Sequence, residues 1–345
     1  MQNKELRMWK VEVDSCPSSR IPHPASRLRH CALFILFNSL FCILYSISVP
    51  TLPAAEITIE KSEHGATVKI DGQLFTEYRT HSGSKPILWP LIGPTGKPVT
   101  RAYPMDSGPA EEEDHPHHRS LWFTHGDVDG ISFWHEKGGN PTVKHKQFVK
   151  MQSDTIVTEN DWIDPQGNKH LADRRTLRFG ADDDQRWIDF DITLTAGDKP
   201  VRLGDTKEGS FGVRVAGTMK VDAQQGGRIV SSEGHQDKAA WGKPAAWVDY
   251  HGPVDGQTVG IAILNHPNSF RFPTYWHVRT YGLLAANPFG LKAFTAGKQQ
   301  GDYKLPPGES ITLSYRVWLH LGDHLEGKVA EAFEAYAKTK PTIDR

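Results

Sequence analysis

Turn signals recur roughly every 10–15 residues along most of this chain, and the stretches between them are strand-length. The signals are Asp71-Gly72, Pro165-Gln166-Gly167-Asn168, Ala181-Asp182-Asp183-Asp184, Ala196-Gly197-Asp198, Gly226-Gly227, Pro253-Val254-Asp255-Gly256 and Pro306-Pro307-Gly308. Glycine, proline and aspartate supply the backbone angles and side-chain hydrogen bonds that reverse a chain. The segments between them are apolar or β-branched: Thr58–Ile70, Gln73–Thr80, Ile87–Ile92, Leu121–Thr124, Thr142–Met151, Thr155–Trp162, Arg175–Phe179 and Trp187–Thr195 come first. Phe211–Met219, Arg228–Ser231, Ala246–Tyr250, Thr258–Leu264, His277–Leu284 and Ile311–Leu319 follow. No strand–helix–strand alternation occurs, which disfavours parallel α/β architectures. The expectation is an all-β fold: a large two-sheet antiparallel β-sandwich, super-sandwich-like, as one domain over residues 56–345. One helix closes it. Leu325, Val329, Ala332, Phe333 and Tyr336 repeat at helical spacing, which predicts a helix over His324–Thr339 capped by Asp323.

Residues 1–55 read as an address. Arg20, Arg27, Arg29 and His30 precede the apolar run from Cys31 to Val49, and Pro-Thr-Leu-Pro-Ala-Ala follows it. A basic flank, an apolar stretch and a small-residue exit make a signal peptide, with an uncleaved membrane anchor as the alternative. Export to the periplasm or cell surface is expected either way. Cys16, Cys31 and Cys42 all lie in this leader. From Glu56 onward there is no thiol, so disulfides, thiol nucleophiles and cysteine-ligated metals are excluded from that part. Lysine plus arginine is 40 against 41 acidic residues, a net charge of −1. No global field steers such a chain onto nucleic acid or an anionic membrane.

Candidate chemistry concentrates in three segments, with Asp249-Tyr250-His251-Gly252-Pro253 a fourth, weaker patch. The first is Asp114–Trp134, DHPHHRSLWFTHGDVDGISFW, with four histidines in eleven residues. His117, His118, Arg119, His125 and Asp127 are candidate catalytic groups, and Trp134 a ring platform. His115, His117 and His125 are candidate metal ligands, because residues two apart on an extended segment share a face. The same residues suit sugar hydroxyls, and each histidine alone could simply tether a loop. The second segment carries Glu208, a candidate base before a strand, and Arg214 within it. The third runs from Asn265 through Tyr275, Trp276 and His277 to Asn287, a mixture of amides, aromatics and cations suited to saccharide contact. No G-x-G-x-x-G, Walker loop, G-x-S-x-G, H-E-x-x-H or EF-hand loop is present.

The first segment, with Lys85-Pro86, Leu91-Ile92-Gly93-Pro94, Gly96 and Val99-Thr100-Arg101 upstream and NHPNSFRFPTYWHVRTYGLLAANPFG downstream, resembles the bacterial family labelled PmoA-like. The resemblance spans roughly Thr67–Leu321. It implies an exported protein and no assigned reaction. Methane monooxygenase activity, which the label suggests, is rejected, because that membrane subunit needs several spanning helices. A fainter likeness is to the galactose-mutarotase-like super-sandwich, which implies a histidine acid and a glutamate base on a concave sheet. The Leu264-Asn265-His266 turn and the His118-Arg119 pair carry that likeness. The combined expectation is an exported carbohydrate-active or carbohydrate-binding protein. Epimerase, lyase or hydrolase chemistry would run on a histidine–carboxylate pair, His117 or His118 with Glu208 or Asp127, while Arg119 and His277 orient hydroxyls. No cofactor is expected, with a divalent metal as the alternative. A metal-dependent enzyme and a non-catalytic binding module stay open, and the expected partner is a saccharide or other small polar ligand.

Overall fold

The structure, a computed structural model, describes residues 55–107, 111–136 and 140–341. The leader expected over residues 1–55 lies, but for Ala55, outside the described residues. Eighteen strands run in chain order: β1 (Ile57–Lys61), β2 (Gly65–Ile70), β3 (Gln73–Ser82), β4 (Lys85–Leu88), β5 (Leu121–His125), β6 (Thr142–Gln152), β7 (Thr155–Ile163), β8 (Lys169–Ala181) and β9 (Gln185–Ala196). Then come β10 (Val201–Leu203), β11 (Gly209–Arg214), β12 (Arg228–Ser231), β13 (Trp247–Val254), β14 (Gln257–Asn265), β15 (Tyr275–Trp276), β16 (Leu283–Asn287), β17 (Tyr303–Leu305) and β18 (Ser310–Leu321). A first eight-stranded sheet has the order β1-β2-β3-β4-β5-β11-β16-β15, and a second the order β12-β13-β14-β18-β9-β8-β7-β6. All pairings are antiparallel, and β10 with β17 forms a small separate ribbon. The chain is therefore an all-β, two-sheet sandwich, as its punctuation predicts.

The core lies between the two sheets because each strand alternates. On β5, Leu121 and Phe123 face inward. On β11, Phe211 and Val213 do, and on β16, Leu284 and Ala286. Opposing aromatics cross the interior: Phe211 stacks on Tyr315 at 4.8 Å, and Phe123 meets Trp162 edge-on at 6.3 Å. Trp276, expected to contact ligand, is a member of this core, its indole N–H donating to the Ala245 carbonyl at 3.0 Å.

Several elements differ from the expectation, and the stretch Thr58–Ile70 divides into β1 and β2. The helix is α2, Val329–Ala337, shorter than His324–Thr339. Lys328 adopts a left-handed φ of 48° after Gly327, which breaks helical continuity there. Asp323 caps a separate turn, accepting the backbone N–H groups of Leu325 and Glu326. Val329, Ala332 and Tyr336 pack the helix on Trp247, Leu264 and Trp318, on the outer face of the second sheet. The expected strand Phe211–Met219 ends at Arg214, and Gly217–Met219 is a single 3-10 turn. The expected strand His277–Leu284 is interrupted by a turn at Arg279–Gly282, whose tip carries Tyr281. A short helix, α1 (Leu291–Phe294), precedes β17.

Candidate functional site

The outer face of the first sheet, away from the core, is where the chemistry-bearing residues gather. The pairing of β4, β5, β11 and β16 sets one row across it: Ile87 opposite Trp122, Trp122 opposite Gly212, Gly212 opposite Ala285. His277 extends the row, its backbone N–H donating to the Ala285 carbonyl at 2.8 Å. Gly212 and Ala285 are small, so the row has a shallow centre. A Cβ on Gly212 would come within 2.7 Å of the Trp122 ring, which means the indole lies directly over that glycine. Trp134 packs on Trp122 at 5.3 Å from a following loop, and both rings are buried.

The Asp114–Ser120 segment folds over this floor. Arg101 holds it down by donating to the carbonyls of Glu112, Asp114 and His115 and to the Asp114 carboxylate. Arg214, 1% exposed on β11, donates its Nη2 to the Asp114 carboxylate at 2.8 Å and lies over the Tyr281 ring at 4.7 Å. Partial burial raises the Asp114 carboxyl, but Arg214, His115 and Arg101 together bring it down to about 2. The imidazoles then stack. His118 lies parallel to Trp122 at 5.3 Å and to His115 at 4.8 Å, and His115 parallel to Tyr281 at 5.1 Å. His117 stands edge-on to His118 at 4.5 Å and to His135 at 5.0 Å.

Burial makes three of these imidazoles, His117, His118 and His277, hard to protonate, and Glu208 supplies a carboxylate near them. Burial first, then Lys85, His135 and His115, push His117 down to about 3. Burial holds His118 well below its ordinary value, with His117 and Arg214 adding to it. Burial takes His277 to about 4 against the pull of Glu208. Glu208 sits partly exposed just before β11. Burial raises its carboxyl, but the hydrogen bond from Lys207 and the charges of His277, Lys207 and His135 leave it below the usual carboxylate range. That Glu208 feels both His277 and His135 places it at the rim of the same face.

A rim ion cluster that the sequence did not single out closes one side. Lys85, wholly buried on β4, donates to Glu136 Oε1 at 2.6 Å, and Arg119 reaches both Glu136 oxygens at 2.7–3.0 Å. Burial takes the Lys85 ammonium down to about 8 even with Glu136 beside it. Nothing in the string Lys85-Pro86-Ile87-Leu88 signals a buried cation. Arg119 is thus committed to Glu136 and Ser82.

Of the residues named from sequence, His115, His117, His118, Trp134, Glu208, Arg214 and His277 come together, with Arg119 at the edge. Tyr275 is half-buried beside them, stacked on Phe294 at 6.0 Å. Others do not join. His125 alternates to the core side of β5, and its ring nitrogens meet the Gly204 carbonyl and the Ser210 hydroxyl. Burial holds it at about 4. It is therefore remote from His115 and His117, and the three form no common metal centre. Asp127 accepts from Arg202 and from the Gly130 N–H within its own loop. Asn265 ties Thr274 to Ser314. Asn287 donates to the Thr206 and Lys207 carbonyls and accepts from Phe289, so it steadies the loop that carries Glu208.

Six polar atoms on this face are buried without a hydrogen-bond partner among the described residues. They are His118 Nδ1, His277 Nδ1, Trp122 Nε1, Trp134 Nε1, and Arg214 Nε and Nη1. Buried polar groups are nearly always paired, so such a concentration marks a place where ordered water, or a polar ligand admitted by movement of the covering Asp114–Ser120 segment, would complete the bonding.

No curated protein matches the chain by sequence. Among solved structures, an α-galactosidase from Lactobacillus brevis is similar at 10% identity and a TM-score of 0.39, over 77% of this chain and 39% of that one. This chain thus spans well under half of that enzyme. A galactose mutarotase-like protein from Lactobacillus casei is similar at 10% identity and 0.37, over 76% and 100%. A putative aldose 1-epimerase from Escherichia coli K12 is similar at 12% and 0.28, over 78% and 99%. The family match carries its own description and not the PmoA-like label: over residues 65–334 the chain belongs to a family of unknown function, DUF6807.

Proposed function

We propose that the outer face of the first sheet binds a saccharide and moves a proton on it, with Glu208 as base and a neutral imidazole, His277 or His117, as its partner. The observation that carries this is the set of six buried, unpartnered polar atoms beside two indoles. Sugars present alternating hydroxyls and apolar C–H faces, so a polyhydroxy ring supplies acceptors for Arg214 and the tryptophan N–H groups. The Trp122 and Trp134 rings are buried, so they serve as the flat apolar surface once the Asp114–Ser120 segment swings off them. Arg214 replaces Arg119 as the residue that orients hydroxyls, because Arg119 is held by Glu136. Asp127 is dropped as a base for the same kind of reason. The protein that carries this site is read as exported, periplasmic or cell-surface.

Proton transfer by a placed side chain contributes about 100-fold or more. A glycan array with reducing-end assays on the full chain tests the reading. Wild type is expected to bind and turn over at least one member. Glu208→Gln should keep binding within a few-fold while turnover falls at least about 100-fold. Arg214→Lys, which cannot keep the guanidinium fork, should lose binding instead. Binding without turnover would make the chain a binding module, and no binding on any member contradicts the reading outright.

A further inference from the structure

The outer face of the second sheet carries another polar cluster that the site above does not use. Asp249 and His251 are two apart on β13 and so point the same way. His320 comes from β18, and His324 from the turn that follows it. Asp249 Oδ2 lies 2.6 Å from His251 Nδ1, and Oδ1 lies 2.9 Å from His320 Nε2. His320 Nδ1 faces the Leu321 carbonyl at 3.1 Å. A carbonyl and a carboxylate both accept, so both nitrogens of His320 donate and its ring is an imidazolium. The ring is clamped: a Cβ on Gly260 or Gly327 would come within 2.2 or 2.0 Å of it. His324 stacks on His251 at 5.9 Å, and its Nδ1 is buried without a hydrogen-bond partner.

We propose that Asp249, His251 and His324 form a site for one divalent transition metal of the zinc type, with His320 orienting the carboxylate from behind. One donor atom from each of the three lies within 4.8 Å of the others, and among the described residues no other His, Cys, Asp or Glu trio is so grouped. Two imidazoles and a carboxylate suit zinc or a neighbouring metal, whereas calcium and magnesium prefer all-oxygen shells. Donors on a tetrahedral zinc stand about 3.3 Å apart, given bonds of about 2.0–2.1 Å. Reaching that spacing takes an inward movement of His324, which sits on a turn and is only half-buried, and an opening of the 2.6 Å His251–Asp249 contact. The metal displaces the proton now shared between His251 Nδ1 and Asp249 Oδ2. That proton leaves to solvent, and His251 ligates through the freed lone pair. Water completes the shell on the His324 side. The His320 contact is the outer-shell hydrogen bond that metal-binding carboxylates usually receive. The stacked His115, His117 and His118 rings contain no such trio.

The test uses the full chain without a polyhistidine tag, stripped with EDTA and titrated with Zn²⁺, then with Co²⁺ as a spectroscopic probe. One equivalent is expected to bind with micromolar or tighter affinity, and Co²⁺ to give visible bands without thiolate charge transfer. His324→Ala, on the half-buried turn, should weaken binding at least about tenfold, the loss that even an outer-shell partner costs. His251→Gln should do the same, which covers the case of one variant misfolding, and His117→Ala should leave affinity unchanged. Absence of saturable binding overturns the proposal. So does binding that survives both variants, binding that is lost in His117→Ala, or cobalt–thiolate bands from Cys16, Cys31 or Cys42.

Discussion

At the scale of single residues, the histidines divide by what burial does to them. His125 and His277 are held at about 4 and His117 at about 3, all neutral at physiological pH. Their unfolded values lie near 6.5. Between pH 6.5 and 4 the unfolded chain therefore takes up protons that the folded chain refuses, and stability falls as pH falls. For His125, fully buried, the step from 6.5 to about 4 corresponds to roughly 3 kcal/mol, lost once pH drops below its folded value. His170 and His320 have raised values, so their stabilisation is complete below pH 6.5 and is lost only as pH rises through those values. They do not offset the loss in the acid window. Melting temperatures measured from pH 7 to 4 should fall steadily. A flat profile would mean that these histidines are not held neutral. The sequence showed the cluster but not this division, because side-chain facing on β5 puts His125 in the core while the Asp114–Ser120 loop puts His117 and His118 over the sheet.

At the scale of elements, legibility followed alternation. Strands with clean apolar alternation, such as β9 and β18, match the expected bounds to within a residue or two. β8 was read as Arg175–Phe179 but spans Lys169–Ala181. Its inward positions include Asp173 and Arg175, a buried pair bonded to each other and to Asn160 and Trp162, and charge in the core breaks the apolar signal. The interruption of His277–Leu284 was hidden for a different reason, since the turn at Arg279–Gly282 contains only one glycine. That turn matters, because it delivers Tyr281 to the imidazole stack. The central element of the candidate site is β11, and its glycine is the sensitive point. Gly212→Ala would push a methyl into the Trp122 ring, which Trp134 and His118 hold from the other sides. A cost of about 1–3 kcal/mol in denaturant unfolding is expected, with ligand affinity lost in the folded variant. Unchanged stability and affinity together would show that the indole does not rest on this strand.

At the scale of the whole molecule, the two outer faces of the sandwich are unequal. One carries Lys85 and Arg214 on its strands, and loops bring Glu136 and His115, His117, His118 and His135 to the same face as two tryptophans. The other is covered by α2 and carries the Asp249–His251–His324 cluster beside it. Turn punctuation made the two sheets readable, since hairpin-rich chains close by stacking sheets. Which sheet face would collect the functional groups was not readable, because it depends on loop paths between residues up to about 160 positions apart. The central claim is that the first face is a saccharide site. It is tested most directly by soaking crystals of the chain with saccharides that it binds and locating the added density. The account predicts a shifted Asp114–Ser120 segment and a ring against Trp122 or Trp134, with hydroxyls in hydrogen-bond reach of Arg214 Nε and Nη1 and His277 Nδ1, and Glu208 at its edge. Density elsewhere on the molecule, with this face unchanged, would contradict it.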